Sequence, residues 1–314
     1  MTSWYRSDLV IMHKQLGDTV MLEPVLRKLH ASSGRPVQLL CPRAFQPLIE
    51  LMPHSRYASG RERFFPSRVW AYDWGGASTR ASLLTICREK QLLLPNPNDV
   101  RRFHRITYSK VQTEPYLDRY IARYFWDHTL DDLAGDFSPP RLAAPPDSWS
   151  HVGVGNDEYL LFNPVSAWKR KMYPMDLWVK VLSTLTKELG VKIVMTGGRE
   201  DWQLDFCSKI QSMFSGSMVN LAGQTHLKEF MHVISRARIL LSVDGAASHL
   251  AAAFGRRCVT LFGPSYHFLW HHPTPLSYAI SATDYSDEKR PATGMIPPGK
   301  VVQMVLELWN AKEV

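Results

Sequence analysis

The stretch ILLSVDGAASHLAAAFGRRCVTLF, residues 239–262, reads as strand, tight turn, helix and strand in one run. Residues 239–243 form a short continuous apolar run, the pattern of a strand covered on both faces. Asp244 and Gly245 turn the chain, and a helix of small residues follows over 246–254, closed by Gly255. A second strand opens at Cys258. Two strands joined through one helix run parallel, and a parallel sheet needs helices on its faces. The fold class is therefore α/β.

Outward from this unit the same rhythm continues. Strands are predicted over 159–163, 191–195 and 219–221, with helices over 176–189, 201–214 and 227–236 between them. Upstream, 8–12 and 37–41 read as buried strands, 92–94 as another, and 42–52 and 115–130 as helical. Residues 138–146 carry four prolines in nine positions, which suits neither a helix nor a central strand and marks a linker. The expected organisation is two Rossmann-like domains, 1–146 and 147–314, with parallel sheets facing an interdomain cleft. A last helix over about 299–312 is expected to pack back on the first domain.

The 314 residues are 45% apolar and 21% charged, which excludes a disordered chain. A formal charge of +8 calls for a polyanionic partner. Nucleic acid is the weakest candidate, because the excess is divided: 20 basic against 15 acidic residues in 1–150, and 17 against 14 in 151–314. No stretch is long and apolar enough for a membrane span, and the N-terminus does not read as a secretory signal. Cys41, Cys87, Cys207 and Cys258 stand far apart, which fits a reducing cytoplasm. His267, His271 and His272 cluster around Trp270 without an acid or cysteine at ligand spacing, so no metal site is expected.

Ligands of open α/β sheets bind beyond the carboxyl ends of strands. Gln15-Leu-Gly-Asp18 follows the first strand, and Asp18 reads either as a helix N-cap or as a general base. Ser166, Trp168, Lys169, Arg170 and Lys171 follow the first strand of the second half, a donor set for a diphosphate or a solvated basic loop. After Asp244, the N–H groups of Gly245, Ala246 and Ala247 suit a phosphate at a helix N-terminus, with helix packing and capping as the plain alternative. His249 reads as a core histidine or as part of that site. Gly198 and Glu200, in Met195-Thr-Gly-Gly-Arg-Glu-Asp201, follow another strand, with Glu200 placed for a ribose hydroxyl.

Taken together, LGDTVMLEPVLRKL, NPVSAWKRKMYP, VMTGGRED and SVDGAASHLAAAFGRRCVTLFGP resemble the heptosyltransferases, family nine of the GT-B glycosyltransferases. The resemblance implies an inverting, metal-independent transfer of heptose from ADP-heptose to a lipopolysaccharide core at the cytoplasmic face of the inner membrane. No cofactor beyond the nucleotide sugar is implied. Asp18 would match the catalytic base, Lys171 the lysine on the donor diphosphate, and Glu200 the acid near the ribose. Asp244 and His249 would match the ends of the Asp-x-Gly-x-x-His motif. Where many members carry a hydroxyl residue and then glycine after that Asp, Gly245 and Ala246 stand here. Val165 stands in place of a glycine, and Ser265-Tyr-His-Phe268 in place of Thr-Asp-Pro. Another nucleotide sugar, a different glycan or protein acceptor, and a silent sugar-nucleotide or anionic-glycan binder are the alternatives. Arg61 and Arg63, with Arg56 and Arg68 and the aromatic Tyr57, Phe64 and Phe65 between, are expected to meet an anionic lipid-linked acceptor, assisted by Arg101, Arg102 and Arg105.

Overall fold

The computed structural model describes residues 7–73, 76–115, 119–130, 135–151, 153–155 and 157–312. The chain divides into two compact units, Met1–Ala143 and Ala144–Val314.

In the first unit, the apolar run Leu9–Ile11 forms β1 with all three side chains fully buried. There follow α1 (Leu16–Val20), α2 (Glu23–Ser33), β2 (Val37–Leu40), α3 (Gln46–Ile49), β3 (Ser55–Tyr57) and β4 (Arg68–Tyr72). Then come α4 (Ala77–Leu83), β5 (Glu89–Leu93), α5 (Arg102–Thr107), β6 (Lys110–Gln112) and α6 (Ile121–Asp127). All six strands are parallel, in the order β3-β2-β1-β4-β5-β6. Right-handed crossovers set the faces: connections running towards β6 lie on one face of the sheet, those running towards β3 on the other. Hydrogen bonds agree, for the Ile86 N–H after α4 donates to the Phe64 carbonyl in the β3–β4 connection at 2.7 Å. The Tyr108 hydroxyl, at the end of α5, meets Ser82 of α4.

The second unit repeats the scheme. Its elements are β7 (Tyr159–Asn163), α7 (Met175–Leu189), β8 (Lys192–Met195), α8 (Asp201–Met213), β9 (Met218–Asn220) and α9 (Leu227–Arg236). They continue with β10 (Ile239–Val243), α10 (Ala246–Ala253), β11 (Arg257–Phe262), α11 (His267–Trp270), β12 (Ser277–Ser281) and α12 (Pro298–Asn310). The order is β12-β11-β10-β7-β8-β9, again all parallel. Counted from its own first strand, each sheet has the doubly wound order 3-2-1-4-5-6, with its crossover point between strands one and four.

The proline cluster straddles the division. Arg27 donates to the Ser138 and Pro139 carbonyls, the Arg141 N–H to Glu23, and the Ala143 N–H to the Leu51 carbonyl. Residues 138–143 are thus strapped to the first unit. The last helix is a correction: where the sequence sends it back to the first domain, α12 packs on α7, β10 and β11. Val301, Met304, Val305 and Trp309 recur at helical spacing and are buried in the second unit's core, over β10 and β11 beside α7.

Strands β3, β4, β6 and β12 are missed by the sequence reading. β6 is three residues with no apolar run, and β4 opens on an arginine inside a basic stretch. That arginine is a second correction. Arg68 reaches Asp8 through two hydrogen bonds, of 3.1 and 2.6 Å, and Asp8 is almost wholly buried. Arg56 likewise donates to Ser7. Both sit at the amino edge of the sheet, opposite the strand ends where ligands bind, so neither joins an acceptor patch with Arg61 and Arg63.

Candidate functional site

At the carboxyl edge of the second sheet, β7 and β10 end side by side and deliver Ser166 and Asp244. Asp244 is buried, yet its carboxylate does not cap α10; the N-cap residue is Gly245, without a side-chain cap. Instead it accepts from the Lys171 ammonium at 2.5 Å and from the Ser265 hydroxyl at 2.6 Å. The 3-10 turn Lys169–Lys171 places that lysine, and the Thr293 hydroxyl holds the turn by donating to the Lys171 carbonyl at 3.0 Å. Ser166 is buried, and Gln203 pins its carbonyl with an N–H at 3.0 Å. A methyl group at Gly245 would come within 3.7 Å of the Ser166 hydroxyl, an ordinary contact. The backbone at Gly245 is extended, so its value lies in the open approach to the start of α10 rather than in relief of strain.

Three of the predicted donor residues stand apart from this cluster. Lys169 and Arg170 are exposed; the Lys169 ammonium lies 5.2 Å from the Trp202 ring centre, and the Arg170 guanidinium 4.7 Å from that of Trp168. Glu200 is exposed at the N-cap of α8. Gly198 fits closely: a Cβ there would collide with Gln203, the residue that holds Ser166. Ser265, Gln203 and Thr293 belong to the cluster and were not among the residues the sequence assigned to a site. The departure at Ser265-Tyr-His-Phe268 was the available signal for the first; the other two act from elements that only the fold brings near.

His249 lies beneath Asp244, its Nε2 4.0 Å from the carboxylate, beyond hydrogen-bond length. Its ring is 5.6 Å from that of His272 and 6.3 Å from that of Trp270. Burial pushes His249 down to about 4, against the pull of Asp244, so the ring is neutral at pH 7. Burial also lowers His271 and His272. In the unfolded chain a histidine titrates near 6.5, so unfolding takes up protons between these values and stability falls as pH drops through that window. The melting midpoint of the second unit is expected to decline from about pH 6.5 to pH 4, and less steeply in His249→Gln. Identical slopes in the two proteins would contradict a neutral buried ring.

The first unit presents a matching strand edge. Asp18 is a third correction: it is the third residue of α1, not its N-cap, and its carboxylate accepts the Gln15 N–H at 3.1 Å. It is half-buried, in the first turn of the helix that follows β1. At the end of β4 the buried Asp73 accepts the N–H groups of Gly76 and Thr79 at 2.8 and 2.7 Å, starting α4. The His13 N–H donates to the Ser78 hydroxyl at 2.9 Å, and burial lowers the His13 ring against the pull of Asp73. Arg61 and Arg63 lie in the 3-10 turn Arg61–Phe64; Arg61 is exposed, and Arg63 stacks 4.8 Å from the Phe64 ring centre.

Residues 88–293 match the model of glycosyltransferase family 9 (heptosyltransferase). Lipopolysaccharide heptosyltransferase 3 of Escherichia coli is 28% identical over 154 residues, 46% of this chain and 45% of that protein. The match thus spans less than half the length of that relative. Among solved structures, the family 9 glycosyltransferase of Veillonella parvula DSM 2008 superposes with a TM-score of 0.82 at 15% identity, over 98% of each chain. Heptosyltransferase WaaC of E. coli, solved with ADP, gives 0.73 at 15% identity, over 96% of this chain and 99% of that one. The likeness is one of fold, the α/β architecture of the GT-B heptosyltransferases.

Proposed function

The chain belongs to glycosyltransferase family 9, and from that premise we propose that it transfers heptose from ADP-heptose to a lipopolysaccharide core acceptor. The second unit takes the donor and the first unit the acceptor. The observation that carries this reading is the meeting of Ser166, Lys171, Asp244, Ser265 and the uncapped start of α10 at one strand edge. A diphosphate needs donors, here the Lys171 ammonium, held by Asp244, the serine hydroxyls and the α10 N–H groups, and fixed donors matter most as the leaving group gains charge.

The reaction is an inverting displacement. The acceptor hydroxyl oxygen forms a bond to the anomeric carbon while the bond from that carbon to the diphosphate oxygen breaks. ADP leaves with the electron pair, and Asp18 takes the hydroxyl proton. The step needs no metal: the Lys171 ammonium and the N–H groups of Ala246 and Ala247 meet the charge on the departing phosphate. Ser166 adds a hydroxyl, Glu200 holds the ribose, and the neutral His249 supports Asp244 from below. Arg61 and Arg63 meet the anionic groups of the lipid-linked acceptor. The enzyme works in the cytoplasm, in peripheral contact with the inner membrane; no helix among the described residues is long and apolar enough to cross it.

Thermal shift with ADP-, UDP- and GDP-sugars, run with a chelator present, tests this directly. A ligand of the native state raises the melting midpoint according to its affinity. ADP-heptose is expected to give the largest rise, unaffected by the chelator. A larger rise with a UDP- or GDP-sugar would favour the second reading, another nucleotide sugar or another acceptor, which Gly245-Ala246 supports by removing a hydroxyl donor. A rise abolished by chelator and restored by a divalent cation would overturn the metal-free step.

A further inference from the structure

Helix α4 is amphipathic in the wrong sense. It packs on β1 and β4 through Ser78, Thr79 and Ser82, all buried, with Thr85 buried just beyond its end. Leu83, Leu84 and Ile86 are exposed, Leu84 and Ile86 by 67% and 66%. α5 repeats the inversion: His104 is buried while Phe103 and Ile106 are exposed, Ile106 by 78%. With Phe65 from the β3–β4 connection, these are six of the eleven large apolar side chains exposed among the described residues. Scattered surface leucines need no explanation, but a cluster facing water while hydroxyls fill the interior does.

All six come from connections running towards β6, so right-handed crossovers place them on one face of the first sheet. The Ile86–Phe64 and Tyr108–Ser82 hydrogen bonds tie the three segments together. The hydroxyl face of α4 is held from within the first unit. The buried Lys90 donates to the Thr85 and Ser82 carbonyls at 2.6 and 3.4 Å, closing the end of the helix.

Charge completes the pattern. Residues 61–106 hold nine basic and four acidic residues; of the nine, Arg68 is paired with Asp8 and Lys90 is buried, which leaves seven. Two of the four acids are accounted for in the fold. Asp73 is buried under α4, and Glu89 begins β5. Arg80, Arg88, Arg101, Arg102 and Arg105 are exposed among the apolar side chains. Apolar side chains that enter an interface, ringed by arginines, match a bilayer surface bearing anionic headgroups.

We propose that this face, α4 and α5 with the β3–β4 connection, docks the protein on an anionic lipid bilayer. The inference deepens the lipid-linked acceptor of the preceding reading by naming the surface that meets the membrane. Its test is blind to sugar transfer. The full chain, without donor or acceptor, is sedimented with vesicles of phosphatidylcholine, alone or mixed with phosphatidylglycerol.

Binding to the mixed vesicles is expected to be at least about tenfold tighter, and to weaken as salt is raised. Leu84→Ser with Ile86→Ser, and separately Arg102→Gln with Arg105→Gln, are each expected to lower it about tenfold with the melting midpoint unchanged. Equal binding to both vesicle types, or variants that bind as the unsubstituted chain does, would overturn the proposal. So would a dimer in light scattering that the Leu84/Ile86 variant dissociates without loss of vesicle binding, for the face would then belong to a second copy. Vesicle binding without turnover on any acceptor would fault the transferase reading alone. Turnover on a detergent-dispersed acceptor without vesicle binding would fault this one alone.

Discussion

Asp18→Asn is expected to slow transfer by roughly a thousandfold while leaving donor affinity within about twofold. The structure sharpens why this substitution separates the two roles of the residue. Asp18 accepts the Gln15 N–H from the third position of α1. An asparagine oxygen accepts the same bond, so the helix start survives and the melting midpoint stays. What asparagine cannot do is take a proton from the acceptor hydroxyl. Loss confined to turnover therefore identifies a base; near-normal turnover leaves Asp18 as a helix-starting residue only. Asp18→Ala is the informative companion, since it removes the N–H acceptor as well and is expected to cost about 1 kcal/mol of stability.

Lys171→Ala is expected to weaken donor binding by about 10–100-fold, the worth of a charge-assisted hydrogen bond. It is also expected to destabilise the second unit. Asp244 is 3% exposed at its side chain and would be left with the Ser265 hydroxyl as its hydrogen-bond partner. Removing one member of such a pair costs on the order of 3 kcal/mol, or roughly 5–10 °C in melting midpoint for a unit of this size. Asp244→Asn in the Lys171→Ala background removes the stranded charge. The double variant is expected to recover most of the stability and none of the donor affinity, and recovery of both would place Lys171 outside the donor site. No drop in stability in the single variant would show that water already reaches Asp244.

The second unit was more legible in the sequence than the first. Its strands β7, β8, β10 and β11 are four to six residues long, apolar at most positions and buried almost throughout, and its turns carry glycine or proline at the ends. In the first unit β3, β4 and β6 are short or open on charged residues, and α4 and α5 bury polar side chains, so hydrophobic periodicity points the wrong way there. The cluster around Asp244 followed the same division. Ser166, Lys171, Asp244 and the start of α10 were readable because each follows a clear strand or begins a clear helix. Asp244 as a partner of Lys171, rather than a cap, was not readable, because the choice depends on a lysine 73 residues away in sequence. Arg68 was misread for a related reason. A basic stretch looks like surface until its partner, here Asp8 just before the neighbouring strand, is known.

Asp73 and Asp244 occupy the same place in the two sheets, each the first residue beyond its unit's fourth strand. One is consumed by the scaffold, with both oxygens committed to the N–H groups that begin α4. The other leaves its helix uncapped and turns to a lysine and a serine. A doubled design has thus divided labour at a single equivalent position, with one copy of the aspartate starting a helix and the other holding a lysine and a serine at the strand edge. Such a plan lets the strand-end loops of either half be redrawn without disturbing the other half's sheet.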